Sequence, residues 1–266
     1  MKQSAAEQKK FPWYDAVWLN RYVETKRIIR DVAPDKLKMF EEMIAPLRTR
    51  PDFEPIKLTN FLSEDFLRQT KAFIADLPND QKETHEIFRF GRTVLHNHEL
   101  FNEHHRAITD QISELVGEEV EPSYNFLSLY YNMGVCEVHM DAPEAKYTVD
   151  LLIEQTVDWP IYISNWQDWP ENLEINESDW QAVIKNNPAN KFSSYSLEPG
   201  GGVIFSGSNS WHYRDAIYQP RKKHHCHLIF FHFIPKGTKA IIDPKNWGNL
   251  LDIPELYEAW NPVAPP

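Results

Sequence analysis

From Ser123 onward this chain reads as a succession of short strands, and that feature constrains its fold more than any other. Residues 124–131 are aromatic and branched, residues 147–155 alternate Val149, Leu151 and Ile153 on one face, and residues 226–234 alternate around an apolar core. Between them lie residues 135–140, 160–163, a buried strand within 195–205 and 210–218, separated by Gly134, Pro160 and the tight turn marked by Pro199 and Gly200-Gly201-Gly202. Many short strands joined by Gly and Pro turns must close as a sandwich or jelly roll to bury their apolar faces.

The part before Ser123 has a different period. Trp13, Val17, Trp18 and Tyr22, then Ile28, Ile29, Leu37, Phe40 and Met43, recur at helical steps, with Pro34 dividing two helices. Ser63-Glu64-Asp65-Phe66 has the form of a capped helix start running to about Leu77. The pattern predicts a strand over 84–95 bent at Gly91, a helix over 104–116, and a mostly looped end after Pro235 with a helix at 253–259. The expected fold class is α+β: a jelly-roll core with N-terminal supporting helices. No repeat or long linker splits the 266 residues. One domain is expected, with 1–118 as mainly helical support, 119–235 as the core and 236–266 as a tail.

The chemistry centres on His139 and Asp141. Two residues apart on a strand, they face the same way. A single later His, His212, completes two imidazoles and one carboxylate on one face of a metal, the donor set that suits non-haem Fe(II). Arg214, two residues beyond His212, is expected to face the same interior.

The run Tyr131-x-x-Gly134-x4-His139-x-Asp141 resembles the first metal strand of the Fe(II)/2-oxoglutarate-dependent oxygenases, in particular their prolyl-hydroxylase-like branch. Pro199-Gly200-Gly201-Gly202-Val203-Ile204-Phe205 followed by His212 resembles their Pro-Gly strand and distal histidine. The resemblance covers roughly residues 120–235. It implies a double-stranded β-helix, with His139, Asp141 and His212 holding Fe(II), and 2-oxoglutarate and O2 as co-substrates. It further implies hydroxylation of a small molecule or amino-acid side chain, with succinate and CO2 as coproducts. The carboxylate of Asp141 fills the position that a halogenating relative leaves open for chloride. The base for the far carboxylate of 2-oxoglutarate departs from the pattern. Arg221, Lys222 and Lys223 share the expected window, Arg214 is a rival, and Tyr131 or Tyr124 could add a hydroxyl. Arginine suits the role because its fork grips a carboxylate through two hydrogen bonds. Two other readings use the same residues: a cupin-type dioxygenase or isomerase without 2-oxoglutarate, and a non-catalytic jelly-roll binding protein.

Composition narrows the partners. A formal charge of -11 argues against nucleic acid held through its phosphates. Only Cys136 and Cys226 are present, too few for a disulfide scaffold. With a polar N-terminus and no membrane-length apolar run, a cytoplasmic location is expected. The remaining titratable clusters have plainer readings. His224, His225 and His227 read as core or surface histidines, because they alternate faces and lack matching ligands. His96, His98, His104 and His105 read as exposed, and Arg89 and Arg92 as an exposed strand face. Trp159, Trp166, Trp169 and Trp180 form a packed insertion and a candidate substrate wall.

Overall fold

The structure, a computed structural model, describes residues 10–171, 175, 178–217 and 223–261. In chain order the elements are α1 (Val17–Val32), α2 (Leu37–Ile44), β1 (Ile56–Leu58), α3 (Glu64–Asp76), α4 (Ile87–Phe90), β2 (Arg92–His96), α5 (Glu99–Ala107) and α6 (Thr109–Val116). There follow β3 (Val120–Tyr130), β4 (Cys136–His139), β5 (Tyr147–Gln155), β6 (Ile161–Ser164), α7 (Trp180–Asn186), β7 (Phe192–Tyr195), β8 (Gly202–Phe205), β9 (His212–Arg214) and β10 (Cys226–Pro235). The chain closes with α8 (Lys239–Ile242), α9 (Trp247–Leu251) and α10 (Pro254–Trp260).

The strands form two antiparallel sheets, a larger one in the order β1-β8-β5-β10-β3-β2 and a smaller one in the order β4-β9-β6-β7. Three apolar layers follow from the alternation of side chains along these strands. Tyr130, Leu152, Ile161, Ile163, Phe205 and Leu228 fill the space between the sheets. Leu127, Leu151, Ile229, Phe231 and Phe233 face the other way, onto α3, α5 and α6. Val138, Met140 and Trp211 of the smaller sheet's surroundings join α1, α2 and the C-terminal helices in the third layer. The helices thus support the sheets from opposite sides rather than as one N-terminal block. The end of the chain shares in that support instead of trailing as a loop.

Local chemistry sets the element boundaries. Pro34 disfavours helix at the residue before it, and Ala33 leaves the helical region at φ -151°, separating α1 from α2. The Ser63 hydroxyl accepts the Phe66 N–H at 3.2 Å and caps α3. The stretch 84–95 is not one strand: it turns helical over α4 and extends only from Arg92. Gly91 ends that turn at φ 65°, where a Cβ would lie 2.8 Å from the backbone of Met133 and Gly134. Helix 104–116 is two helices, and the first starts earlier because the His98 side chain caps it at Leu100. In the outer layer Trp247 is fully buried, edge-on to Trp18 at 5.5 Å and Phe40 at 5.1 Å, with its N–H on the Ile241 carbonyl. Truncating such a residue to alanine costs about 3–5 kcal/mol. Among the described residues no helix is long and apolar enough to cross a membrane.

Candidate metal centre

The register between β4 and β9 sets His139 directly opposite His212. Their rings stand 4.2 Å apart, centroid to centroid. Asp141 follows β4 on the face of His139, its backbone N–H tied to the Gly207 carbonyl at 2.9 Å. One ligand atom from each of His139, Asp141 and His212 lies within 4.8 Å of the others. Asp141 Oδ1 is 3.3 Å from His139 Nε2 and 3.6 Å from His212 Nε2.

The surroundings fix which atoms face inward. His139 Nδ1 is 2.7 Å from the Glu137 carbonyl and His212 Nδ1 is 3.0 Å from the Ser210 carbonyl. A carbonyl only accepts, so both Nδ1 atoms carry a proton and both Nε2 atoms are left facing Asp141. The Thr148 hydroxyl donates to Asp141 Oδ2 at 3.1 Å. Gly207 leaves room for that carboxylate, since a Cβ there would collide with Asp141 Oδ2 and Thr148 Oγ1. Burial alone would lower the His139 pKa, but Cys136 and Asp141 outweigh it and hold it well above the usual range. Burial would raise Asp141; His212 and His139 outweigh it and hold the carboxyl well below the usual range. Two neutral-capable imidazole nitrogens and an ionised carboxylate oxygen, oriented by hydrogen bonds behind them, fit a divalent first-row metal.

The centre opens onto a cavity of about 190 Å³. Arg214 lines it two residues from His212, fully buried, with one nitrogen 2.5 Å from Asp150 Oδ2 and another on the Trp159 carbonyl. Arg92 also lines it, bonded to Glu86 and to the Tyr130 hydroxyl at 2.6 Å. Tyr131 does not reach it. β3 ends at Tyr130, which faces in, and Tyr131 turns out beside Met133 with 41% of its surface exposed. Tyr124 does line the cavity. Arg221 lies outside the described residues, as does Lys222.

Several other expectations change. None of Trp159, Trp166, Trp169 and Trp180 lines the cavity; Trp159 packs edge-on to Tyr130 between the sheets, and Trp13 takes the wall position. His105 is buried, bonded to the His232 carbonyl at 3.0 Å, because it sits on the inward face of α5. Arg92 is half-buried and turned into the cavity rather than surface-facing. Glu154 supplies the matching ligand missing beside His225 and His227: the three offer atoms within 4.8 Å of one another, away from the cavity. Sequence reasoning missed Asp15, Glu86, His232 and Gly207. Their only sequence signal is proximity to aromatic or glycine residues, which does not single them out.

No family model matches the chain, and no curated protein matches it. Solved structures do. HygX from Streptomyces hygroscopicus, crystallised with nickel, 2-oxoglutarate and hygromycin B, superposes with a TM-score of 0.51 at 7% identity, covering 69% of this chain and 83% of HygX. The non-haem α-ketoglutarate-dependent carbocyclase SnoK from nogalamycin biosynthesis does so with a TM-score of 0.51 at 12% identity, covering 71% of this chain and 83% of SnoK. At these identities the likeness establishes the fold, which this chain shares with HygX and SnoK.

Proposed function

We propose that the chain is a non-haem Fe(II)/2-oxoglutarate-dependent dioxygenase that hydroxylates an unactivated C–H bond of a small molecule or amino-acid side chain. Its two sheets form a double-stranded β-helix within a single domain. The observation that carries the reading is the convergence of His139 Nε2, His212 Nε2 and Asp141 Oδ1 at the wall of a partly open cavity. HygX, of the same fold, was crystallised with nickel and 2-oxoglutarate, which supports the same cofactor use here.

His139, Asp141 and His212 would hold Fe(II), which with 2-oxoglutarate and O2 supplies the oxidant. The chain's own residues position and enclose. The Glu137 and Ser210 carbonyls lock the imidazole tautomers, and Thr148 with Gly207 holds the Asp141 carboxylate. Arg214 is the base we assign to the far carboxylate of 2-oxoglutarate, because it shares β9 with His212 and lines the same cavity. Arg221 is its rival. Tyr130, in place of Tyr131, and Tyr124 offer hydroxyls to the same cavity. Phe205 and Ile161 exclude water from its inner wall.

One observation favours a metal enzyme that uses no 2-oxo acid. Arg214 and Arg92 already carry carboxylate partners in Asp150 and Glu86. Succinate release separates the two readings. Iron-loaded protein should convert 2-oxoglutarate to succinate and bind it, and absence of both rejects the proposal. Arg214→Lys should raise KM for 2-oxoglutarate more than Arg221→Lys does; the reverse order moves the role to Arg221.

A further inference from the structure

The arginines at and beside the cavity already have acid partners. Arg92 is paired with Glu86, Arg214 with Asp150 and Arg89 with Glu137. Asp141 is committed to the two histidines. Asp15 also lines the cavity, and among the described residues its carboxylate makes no hydrogen bond or ion pair. It is surrounded by protein, with part of its surface open to the cavity, and burial pushes its carboxyl above the ordinary range. His139, Asp141, Arg92 and Glu86 line the same cavity as Asp15.

Asp15 does not hang on a loose end. It sits between Trp13 and α1. Trp13 is buried, donates its N–H to the Met140 carbonyl at 3.1 Å, and meets Trp211 edge-on at 5.0 Å. The Ala16 N–H closes a turn on the Trp13 carbonyl. The segment thus holds the half-buried Asp15 at the cavity wall, where among the described residues no hydrogen bond or ion pair satisfies its carboxylate and a cationic ligand would.

The same cavity offers a flat aromatic wall. Tyr124 and His232 stack at 4.1 Å and 10°, and Phe126 and Phe230 stack at 4.8 Å and 21°. Tyr124 feels the charges of both Asp141 and Asp15, which places this wall within range of both carboxylates. With their faces stacked on one another, these rings offer an apolar surface to the body of a ligand rather than a seat for its charge. His232 adds no charge to repel a cation, because burial pushes its pKa down to about 4.

We propose that Asp15 and the Tyr124–Phe126–Phe230–His232 wall form the substrate subsite, and that the substrate is an organic cation, an ammonium group carried on an aromatic or apolar body. This deepens the oxygenase reading and rests on it only in calling the ligand a substrate. The carboxylate answers the ammonium, the rings take the body, and the carbon skeleton between them lies beside the metal centre.

Three probes of matched size test it: 2-phenylethylammonium, 2-phenylethanol and phenylacetate. Their binding to the full chain is measured by calorimetry under nitrogen, with and without Fe(II) and 2-oxoglutarate. The ammonium is expected to bind at least about tenfold more tightly than the alcohol, the scale of one charge-assisted hydrogen bond, and phenylacetate not at all. Asp15→Asn should erase the preference for the ammonium and leave the alcohol unchanged, while Asp15→Glu should keep the preference. Equal affinities for ammonium and alcohol, no binding of either, or a preference that survives Asp15→Asn would each overturn the proposal. Succinate release is scored separately. A charge preference without succinate release keeps the subsite and rejects the oxygenase reading; succinate release without the preference does the opposite.

Discussion

Two places in this molecule bring together two histidines and a carboxylate, each with ligand atoms within 4.8 Å of one another. They differ in everything behind those atoms. At His139, Asp141 and His212, backbone carbonyls fix both tautomers, and a threonine and a glycine hold the carboxylate. At His225, His227 and Glu154 the carboxylate is already spent. Its Oε1 bonds His227 Nδ1 at 3.0 Å, its Oε2 lies 3.9 Å from the Lys71 ammonium, and its side chain is 35% exposed. Ligand type and closeness do not make a metal centre. Lone pairs aimed at one point, and no competing partner, do.

The largest expected effect breaks the first cluster. Removing a ligand by His212→Ala should abolish bound iron and lower turnover by about a thousandfold or more, the scale of losing the metal's contribution altogether. Metal analysis and succinate release check it, and unchanged iron content would remove His212 from the site. Next comes the support behind the carboxylate. Gly207→Ala drives a methyl group into Asp141 Oδ2 and should weaken iron binding about 10–100-fold, with Thr148→Val at the lower end of that range. Iron titration measures both, and wild-type affinity in Gly207→Ala would show that the cradle is dispensable.

A smaller effect tests the second cluster. His225→Ala with His227→Ala should leave iron stoichiometry at about one per chain, as expected for a single built site. A fall by one equivalent would make the two clusters equivalent and end the contrast drawn above. The smallest effect is on stability against pH. Burial pushes the pKa of His105 down to about 3 and that of His232 down to about 4. Both are below the unfolded value, so the unfolded chain binds more protons in acid. Their contribution is intact above about pH 6.5 and is lost progressively as pH falls toward the folded values. Each should cost about 1 kcal/mol of stability between pH 7 and pH 5.5. Urea unfolding at the two pH values measures this, and His105→Gln should reduce the loss.

Much of the fold was legible because strands and helices repeat at different periods. Pro34, the Ser63 cap and the strands around His139, Leu151 and Leu228 emerged from local pattern alone. The misreadings share one cause. Residues 84–95 have strand composition, but Ile87–Phe90 form a helical turn that Gly91 ends at φ 65°, packed so closely on the Met133–Gly134 backbone that a Cβ there would lie 2.8 Å from it. Tyr131 was one residue out of phase, because β3 ends at Tyr130 and the chain turns there. The helix expected at 253–259 is α10, whereas α8 and α9 read as loop because each is short, and α9 is stabilised by burial of Trp247 against α1 and α2 rather than by helix propensity.

What the sequence determined by itself is the local geometry of the first two ligands. Period-two alternation places His139 and Asp141 on one face whatever the rest of the chain does. It also marked the strand over Gly202–Phe205 that precedes His212. Only the tertiary structure decided that β4 pairs with β9 in the register that sets His139 against His212. The same holds for Glu154 meeting His227, and for Asp15, 124 residues before His139, lining the same cavity. Such contacts depend on strand register and on the packing of distant apolar faces, and neither is encoded within any single window of the chain.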